Sequence, residues 1–258
     1  MRSAARFFDD PQYLRTVVAE KPAAESGEQA RGAARLAGCR PGARILDAGC
    51  GNGRNAVPLA DAGYRVVALD PSGPLLSAAR RLARGAPQPH FVRGSYTTMP
   101  FESRVFDAVV CLGSSLGYLG EDGDRAALRE LRRVLAPGGR LVIETLHRDE
   151  LGERLREHEE RPLASGGTLC VERRFDPARG VMAETQRLGY GAADAHPRAY
   201  EMRVYSGDEL RRMLEGAGFA VIGRHSSLVA EGEPSPGTPL VLVAEADSRP
   251  SRYSLLGE

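Results

Sequence analysis

Between residues 44 and 146 short apolar runs alternate with stretches whose apolar positions recur at helical spacing. Runs at 44–48, 64–69, 89–93, 106–112 and 140–146 predict strands, and 54–62, 74–84 and 125–135 predict the helices between them. Gly63 ends the first of these helices, and Pro137-Gly138-Gly139 stops the last. Strands alternating with helices at this spacing pair in parallel through right-handed crossovers. Further along, Ser206 caps a helix predicted at 207–216, ahead of strands at 219–224 and 240–245. The expected fold class is α/β, with a doubly wound, seven-stranded, mostly parallel sheet. Upstream, residues 4–37 carry two helical stretches broken near Lys21-Pro22.

Residues 147–205 break the rhythm. The charged segment 149–160 predicts a helix, and 168–175, 181–190 and 198–205 alternate with period two. The connection 176–180 contains Pro and Gly and suits a hairpin loop. These strands predict an antiparallel flap laid over one end of the sheet. The chain then divides into an N-terminal helical cap (1–43), an α/β core (44–146), the flap insertion (147–205), a segment completing the sheet (206–246) and a tail (247–258). Leu169, Val171, Arg173 and Phe175 alternate with Thr168, Cys170, Glu172 and Arg174, and one of these two faces is expected to roof a substrate pocket. The other face meets water or a second subunit, which leaves a homodimer open.

The densest chemical signal is Asp47-Ala48-Gly49-Cys50-Gly51-Asn52-Gly53-Arg54, where a buried strand opens through three glycines into a helix. Glycines there let the backbone turn sharply and approach a ligand with no Cβ in the way. A dinucleotide fingerprint would need glycine at 54 after Gly49 and Gly51, and Arg54 stands there instead. A phosphate-binding loop of the Walker type would need Lys after its glycine, and the only lysine is Lys21. The second strand ends at Asp70, followed by Pro71. A carboxylate at that strand end can accept from both hydroxyls of a ribose, and Pro71 offers an apolar surface to a purine.

With Leu46-Asp47-Ala-Gly-Cys-Gly-Asn-Gly53, Asp70, Met99-Pro-Phe101, Phe106-Asp-Ala-Val-Val110 and Leu135-Ala-Pro-Gly-Gly-Arg-Leu141 in this order, the chain resembles a class I S-adenosylmethionine-dependent methyltransferase over residues 44–146. The resemblance implies the Rossmann-like fold of that family and S-adenosyl-L-methionine as cofactor. It implies that Asp47 and the loop Gly49, Cys50, Gly51, Asn52 and Gly53 cradle the methionine part, with Arg54 beside them, and that Asp70 holds the ribose. It places Ser95, Tyr96, Cys111 and Leu112 around the adenine and the sulfonium, Ser95 standing where related members often carry an acidic residue. Tyr13 is expected to close over the methionine end. Phe7-Phe8-Asp9-Asp10, Gly113-Ser-Ser-Leu-Gly-Tyr118 and Arg173-Arg-Phe-Asp-Pro177 resemble a bacterial small-molecule subgroup with a β-flap, which includes sugar N-methyltransferases of antibiotic pathways. By that analogy the enzyme belongs to specialised metabolism.

Methyl transfer from a sulfonium needs in-line positioning and exclusion of water more than it needs one decisive residue. The catalytic candidates are His147, just past the fifth strand, and Tyr118, in a Gly-bounded loop after the fourth. Glu144 and Asp149 bracket His147, but Glu144 is mid-strand and the acidic residues of 150–160 sit at solvated spacing, so no metal is expected.

Composition narrows the partner. Lys+Arg is 35 against Asp+Glu 34, a net charge of +1, which suits a small-molecule pocket better than a nucleic-acid surface. Cys39, Cys50, Cys111 and Cys170 match no zinc pattern and read as reduced thiols. The charged start of the chain has no apolar run of the kind a signal peptide carries, and no stretch reaches membrane-spanning length, so a cytoplasmic enzyme is expected. Two alternatives stay open: the same fold catalysing a non-methylating cyclisation or rearrangement, and a peptide or tRNA methyltransferase.

Overall fold

The computed structural model describes residues 7–10, 13–14, 23–85, 88–151, 155–163, 166–190, 193–194, 197–229 and 238–247. Most of the first helical stretch expected in 4–37, residues 230–237 and nearly all of the tail lie outside them. Helix α1 (Ala23–Leu36) leads into β1 (Arg44–Ala48), α2 (Ala56–Asp61), β2 (Arg65–Asp70), α3 (Gly73–Leu82), β3 (His90–Arg93), β4 (Phe106–Cys111), α4 (Gly120–Val134) and β5 (Leu135–Thr145). The chain closes with α6 (Gly207–Gly216), β11 (Phe219–His225) and β12 (Leu240–Ala246). These strands form one seven-stranded sheet in the order β11-β12-β5-β4-β1-β2-β3. Neighbours from β3 to β5 pair in parallel, and β12 runs antiparallel to both β5 and β11.

Period-two alternation sorts the strand residues into two cores. Leu46, Leu69, Val109, Cys111, Leu141 and Ile143 face α4 and α6. Ile45, Val66, Ala68, Val110, Leu112 and Val142 face α1, α2 and α3. Helix α4 supplies the stripe Ala127, Leu128, Leu131 and Val134. Each fully buried leucine there contributes about 1.5–3 kcal/mol. Its first turn holds Glu121 and Asp122 and its last Arg132 and Arg133, both matching the helix dipole. The helix at 207–216 begins on the expected Ser206, and a reciprocal bond from Ser206 N to Glu209 Oε2 at 2.9 Å completes a capping box.

The flap is a second, antiparallel sheet. It comprises β6 (His158–Pro162), β7 (Thr168–Asp176), β8 (Val181–Tyr190), β9 (Ala193–Asp194) and β10 (Arg198–Arg203), in the order β10-β8-β7-β6 with β9 on β8. The helix expected at 149–160 is corrected here. Only the single turn α5 (Arg148–Leu151) forms, and 158–162 becomes β6, paired with β7. The charges in this segment are dense enough to fit either period, and tertiary pairing decides. As a strand, Glu159 reaches Arg173 of β7 at 2.8 Å, which a helix would deny it.

Candidate active site

The carboxyl ends of β1, β2 and β4 meet the flap across a cavity of about 970 Å³. That is the upper end of the roughly 300–1,000 Å³ usual for ligand pockets, so two molecules fit side by side. One half is lined by Gly49, Cys50, Gly51, Asn52, Arg54, Asp70, Pro71, Leu112 and Gly113, and the other by Tyr118, His147, Arg173, Met182, Glu184, Gln186 and Tyr200. Phe7, Phe8 and Tyr13 lie over the join.

The glycine loop is pinned where β1 ends. Gly49 N and Cys50 N both donate to Leu69 O, at 2.8 and 3.1 Å, holding the loop beside the end of β2. Gly49 has φ +80°, and a Cβ there would meet the Tyr96 hydroxyl and the Ser115 side chain. Gly51, at φ +55°, faces open space instead. Asp70 Oδ2 accepts from Gly51 N at 2.9 Å and Oδ1 from Ser72 N at 2.8 Å, which leaves the outer lone pairs of both oxygens for a ligand. Burial raises its carboxyl, against those two backbone bonds. Ser72 Oγ in turn donates to Asp9 Oδ1 at 2.5 Å, tying the first described segment to this lip.

Asp47 sits behind the loop rather than on the cavity wall. It is 1% exposed and its Oδ2 finds no hydrogen-bond partner among the described residues. Burial pushes its carboxyl up to about 7, with Arg54 pulling down and Asp70 pushing up. Arg54 stretches across to β4, where a Cβ on Gly113 would fall 2.6 Å from its Nη2. Burial drives the Cys50 thiol well up and Cys111 to about 12, so neither is a ready nucleophile.

The expected site residues divide by strand phase. Leu112 lines the cavity, whereas Cys111, one residue earlier, points into the α4–α6 core. Tyr96 lines it, whereas Ser95 is exposed and its Oγ lies 3.0 Å from Thr97 Oγ1. Gly53 packs on Ala79 and Phe91 at the helix side of the loop. Glu144 braces the β4 end, its Oε2 accepting from Gly113 N at 2.9 Å. His147 is buried on the wall, and its Nε2 lies 3.3 Å from Arg224 Nη2 and 3.4 Å from Asp149 Oδ2, leaving Nδ1 3.9 Å from Glu150 Oε1. His196 lies outside the described residues. Tyr13 packs on Phe7 and Phe8, with Arg198 over its ring at 5.7 Å, and burial raises its phenol to about 12. Tyr118 packs edge-on against Phe8 and tilted against Tyr200, and burial raises both tyrosines.

Sequence reasoning passed over the polar roof. Glu184 and Gln186 are each 6% exposed and two apart on β8, so they share a face with Met182. Glu184 Oε1 accepts from Gln186 Nε2 at 2.8 Å and Oε2 from Arg173 Nε at 2.7 Å. Arg198, whose Nη1 donates to Asp10 Oδ1 at 2.9 Å, extends the network to the first segment. The available signal was a carboxylate and an amide in phase with the flap's apolar face.

The residues fit S-adenosylmethionine. The capped Asp70 carboxylate suits a ribose diol, the open space at Gly51 admits a ligand against bare backbone, and the unpartnered Asp47 Oδ2 awaits a donor or cation. The family model that matches is a methyltransferase domain, over residues 45–139. A demethylmenaquinone methyltransferase from Renibacterium salmoninarum is 41% identical over 106 residues, 41% of this chain and 42% of that protein. The chain thus spans about two fifths of the length of such curated relatives. The CcbJ methyltransferase from Streptomyces caelestis superposes with a TM-score of 0.75 at 26% identity, covering 88% of this chain and 94% of that one. An amino pentose methyltransferase from Micromonospora echinaspora, solved with its cofactor bound, shares the fold with a TM-score of 0.65 at 24% identity over 88% and 92% of the two chains. Residues 45–139 thus carry a methyltransferase domain, and the fold around it is similar to that of S-adenosylmethionine-dependent methyltransferases of solved structure.

Proposed function

We propose that the protein transfers a methyl group from S-adenosylmethionine to a nitrogen or oxygen of a small molecule. The observation that carries this reading is one continuous cavity with a ribose-ready carboxylate at one end and a flap-roofed aromatic chamber at the other. When bound, the cofactor supplies a methyl already activated by its sulfonium. Asp70 accepts from the ribose, and Pro71 and Leu112 flank the base. Asp47 and Arg54 balance the ammonium and carboxylate of the methionine part, with Tyr13 covering it. Tyr118, Tyr200, Met182 and the roof around Glu184 orient the acceptor and exclude water. His147, committed to Arg224 through Nε2, acts as a wall and hydrogen-bonding group rather than as the obligatory base. The covered chamber argues for a small acceptor over a folded peptide or tRNA. A place in specialised metabolism rests on the resemblance of the flanking motifs.

Calorimetry tests the cofactor half: saturable S-adenosylmethionine binding by the wild type, weakened at least tenfold in Asp70→Ala. Unchanged binding in that variant would overturn the site. Release of S-adenosylhomocysteine with a panel of small amines and hydroxyl compounds tests the reaction, and its absence with every acceptor while the cofactor binds would favour a non-methylating chemistry.

A further inference from the structure

Three charged groups surround His147 at the chamber wall, and they divide its two ring nitrogens. Nε2 lies 3.3 Å from Arg224 Nη2 on β11 and 3.4 Å from Asp149 Oδ2. Nδ1 lies 3.9 Å from Glu150 Oε1. Of these three groups only Glu150 lines the cavity, as His147 itself does. The Nδ1 edge of the ring is therefore the one that faces the chamber.

A guanidinium carries N–H donors and no acceptor, so the bond from Arg224 requires a bare Nε2. A proton on Nε2 would set N–H against N–H. Asp149 gives that proton little reward, because its side chain is 57% exposed and water competes for it. Packing also places the guanidinium. A Cβ on Gly207, at the start of α6, would fall 3.1 Å from Arg224 Cζ, so the missing side chain leaves the space the guanidinium occupies. A neutral imidazole bare at Nε2 carries its proton on Nδ1. His147 thus presents an N–H to the chamber, with the Glu150 carboxylate beside it. At 3.9 Å these two do not hydrogen-bond to each other. A hydroxyl oxygen between them closes both contacts at ordinary lengths, accepting from Nδ1–H and donating to Glu150.

We propose that Arg224 fixes His147 as an Nδ1–H donor, and that His147 and Glu150 together bind a hydroxyl group of the substrate. The inference rests on the reading of the flap-roofed half as the substrate chamber, and it narrows the substrate to a hydroxyl-bearing molecule. A hydroxyl accepts and donates at once, so it satisfies both side chains. A carbonyl or ether oxygen satisfies His147 alone, and an ammonium satisfies Glu150 alone. His147 and Glu150 touch the substrate, whereas Arg224 is a positioning residue that acts through the imidazole.

Long-range proton–nitrogen NMR on protein labelled at histidine reads the tautomer directly, with His147 assigned by the loss of its signals in His147→Gln. The wild type and Asp149→Asn are expected to show a protonated Nδ1 and a bare Nε2. Arg224→Met should shift the proton toward Nε2, and Arg224→Lys, which keeps a donor, should restore the wild-type pattern. A packing defect alone would not move a proton from one ring nitrogen to the other. A proton on Nε2 in the wild type, or an unchanged tautomer in Arg224→Met, would overturn the role of Arg224. Cyclohexanol and cyclohexanone, titrated against the His147 signals, test the hydroxyl site. The alcohol should bind about three- to tenfold more tightly than the ketone, and Glu150→Met should erase that difference. Equal binding by the wild type, or no response of His147 to either probe, would overturn the hydroxyl site. None of these measurements needs the cofactor. A wild type that fails to bind S-adenosylmethionine would overturn the methyltransferase reading and leave their outcomes as they stand.

Discussion

The Tyr205 hydroxyl donates to Asp124 Oδ2 at 2.7 Å, and the other oxygen of that buried carboxylate accepts from the Gly117 N–H at 3.2 Å. One side chain thereby ties the exit of the flap to α4 and to the turn that carries Tyr118. Removing the Tyr205 hydroxyl leaves a buried carboxylate short of a donor, so Tyr205→Phe is expected to lower stability by about 1–3 kcal/mol. That corresponds to roughly 2–10 °C in thermal midpoint for a chain of this size. Differential scanning calorimetry checks it, and a midpoint within a degree of the wild type would show the bond to be idle.

Gly49 and Gly51 separate folding from binding within one loop. Both have positive φ, but an added Cβ strikes Tyr96 and Ser115 at 49 and nothing at 51. Gly51→Ala should therefore cost about 1–2 kcal/mol of backbone strain while weakening S-adenosylmethionine more than tenfold. Gly49→Ala should be the more destabilised of the two by urea denaturation. Equal stabilities would refute the packing argument.

Asp47 makes stability depend on pH in an unusual direction. Its folded carboxyl stands near 7 and an unfolded aspartate near 3.9, so between them the folded chain keeps a proton that the unfolded chain has released. The associated stability is fully present below about pH 4 and is lost as pH rises through about 7. The wild type should thus lose on the order of a few kcal/mol across that window relative to Asp47→Asn. Urea titrations of both proteins from pH 4.5 to 8 supply the difference curve. Cofactor binding near pH 6 should also release a proton as Asp47 ionises beside the ammonium, visible as a buffer-dependent binding enthalpy.

Arg54 assigns the ends of the ligand. If its guanidinium meets the carboxylate of the methionine part, Arg54→Met should weaken S-adenosylhomocysteine by about ten- to a hundredfold. Methylthioadenosine, which lacks that carboxylate, should bind both proteins alike. A parallel loss for both ligands would place Arg54 elsewhere in the site.

Local pattern carried the sheet, because each buried strand between 44 and 146 is bounded by glycine or proline and each helix shows one apolar stripe. Ser206 marks the start of the helix at 207–216 in the same way. The same alternation separates Leu112, on the cavity, from Cys111, in the core, and Tyr96 from Ser95 depends on a turn whose geometry no pattern specifies. Segment 149–160 misled because charge spacing fits a strand as well as a helix until β7 stands beside it. Glu184, Gln186 and Arg198 stayed hidden because their meaning lies in partners far along the chain, from Asp10 to Arg173.

The insertion that holds β6 to β10 leaves and re-enters the main sheet at neighbouring points. Arg148 N donates to Tyr205 O at 3.1 Å, and the Arg148 guanidinium meets Glu209 Oε1 at 2.6 Å across the same seam. An excursion whose two ends are already clasped adds little loop-closure entropy when its length changes. The chamber for the acceptor is therefore modular: it can be lengthened, shortened or exchanged at that seam while β1, β2 and their glycine loop keep their register.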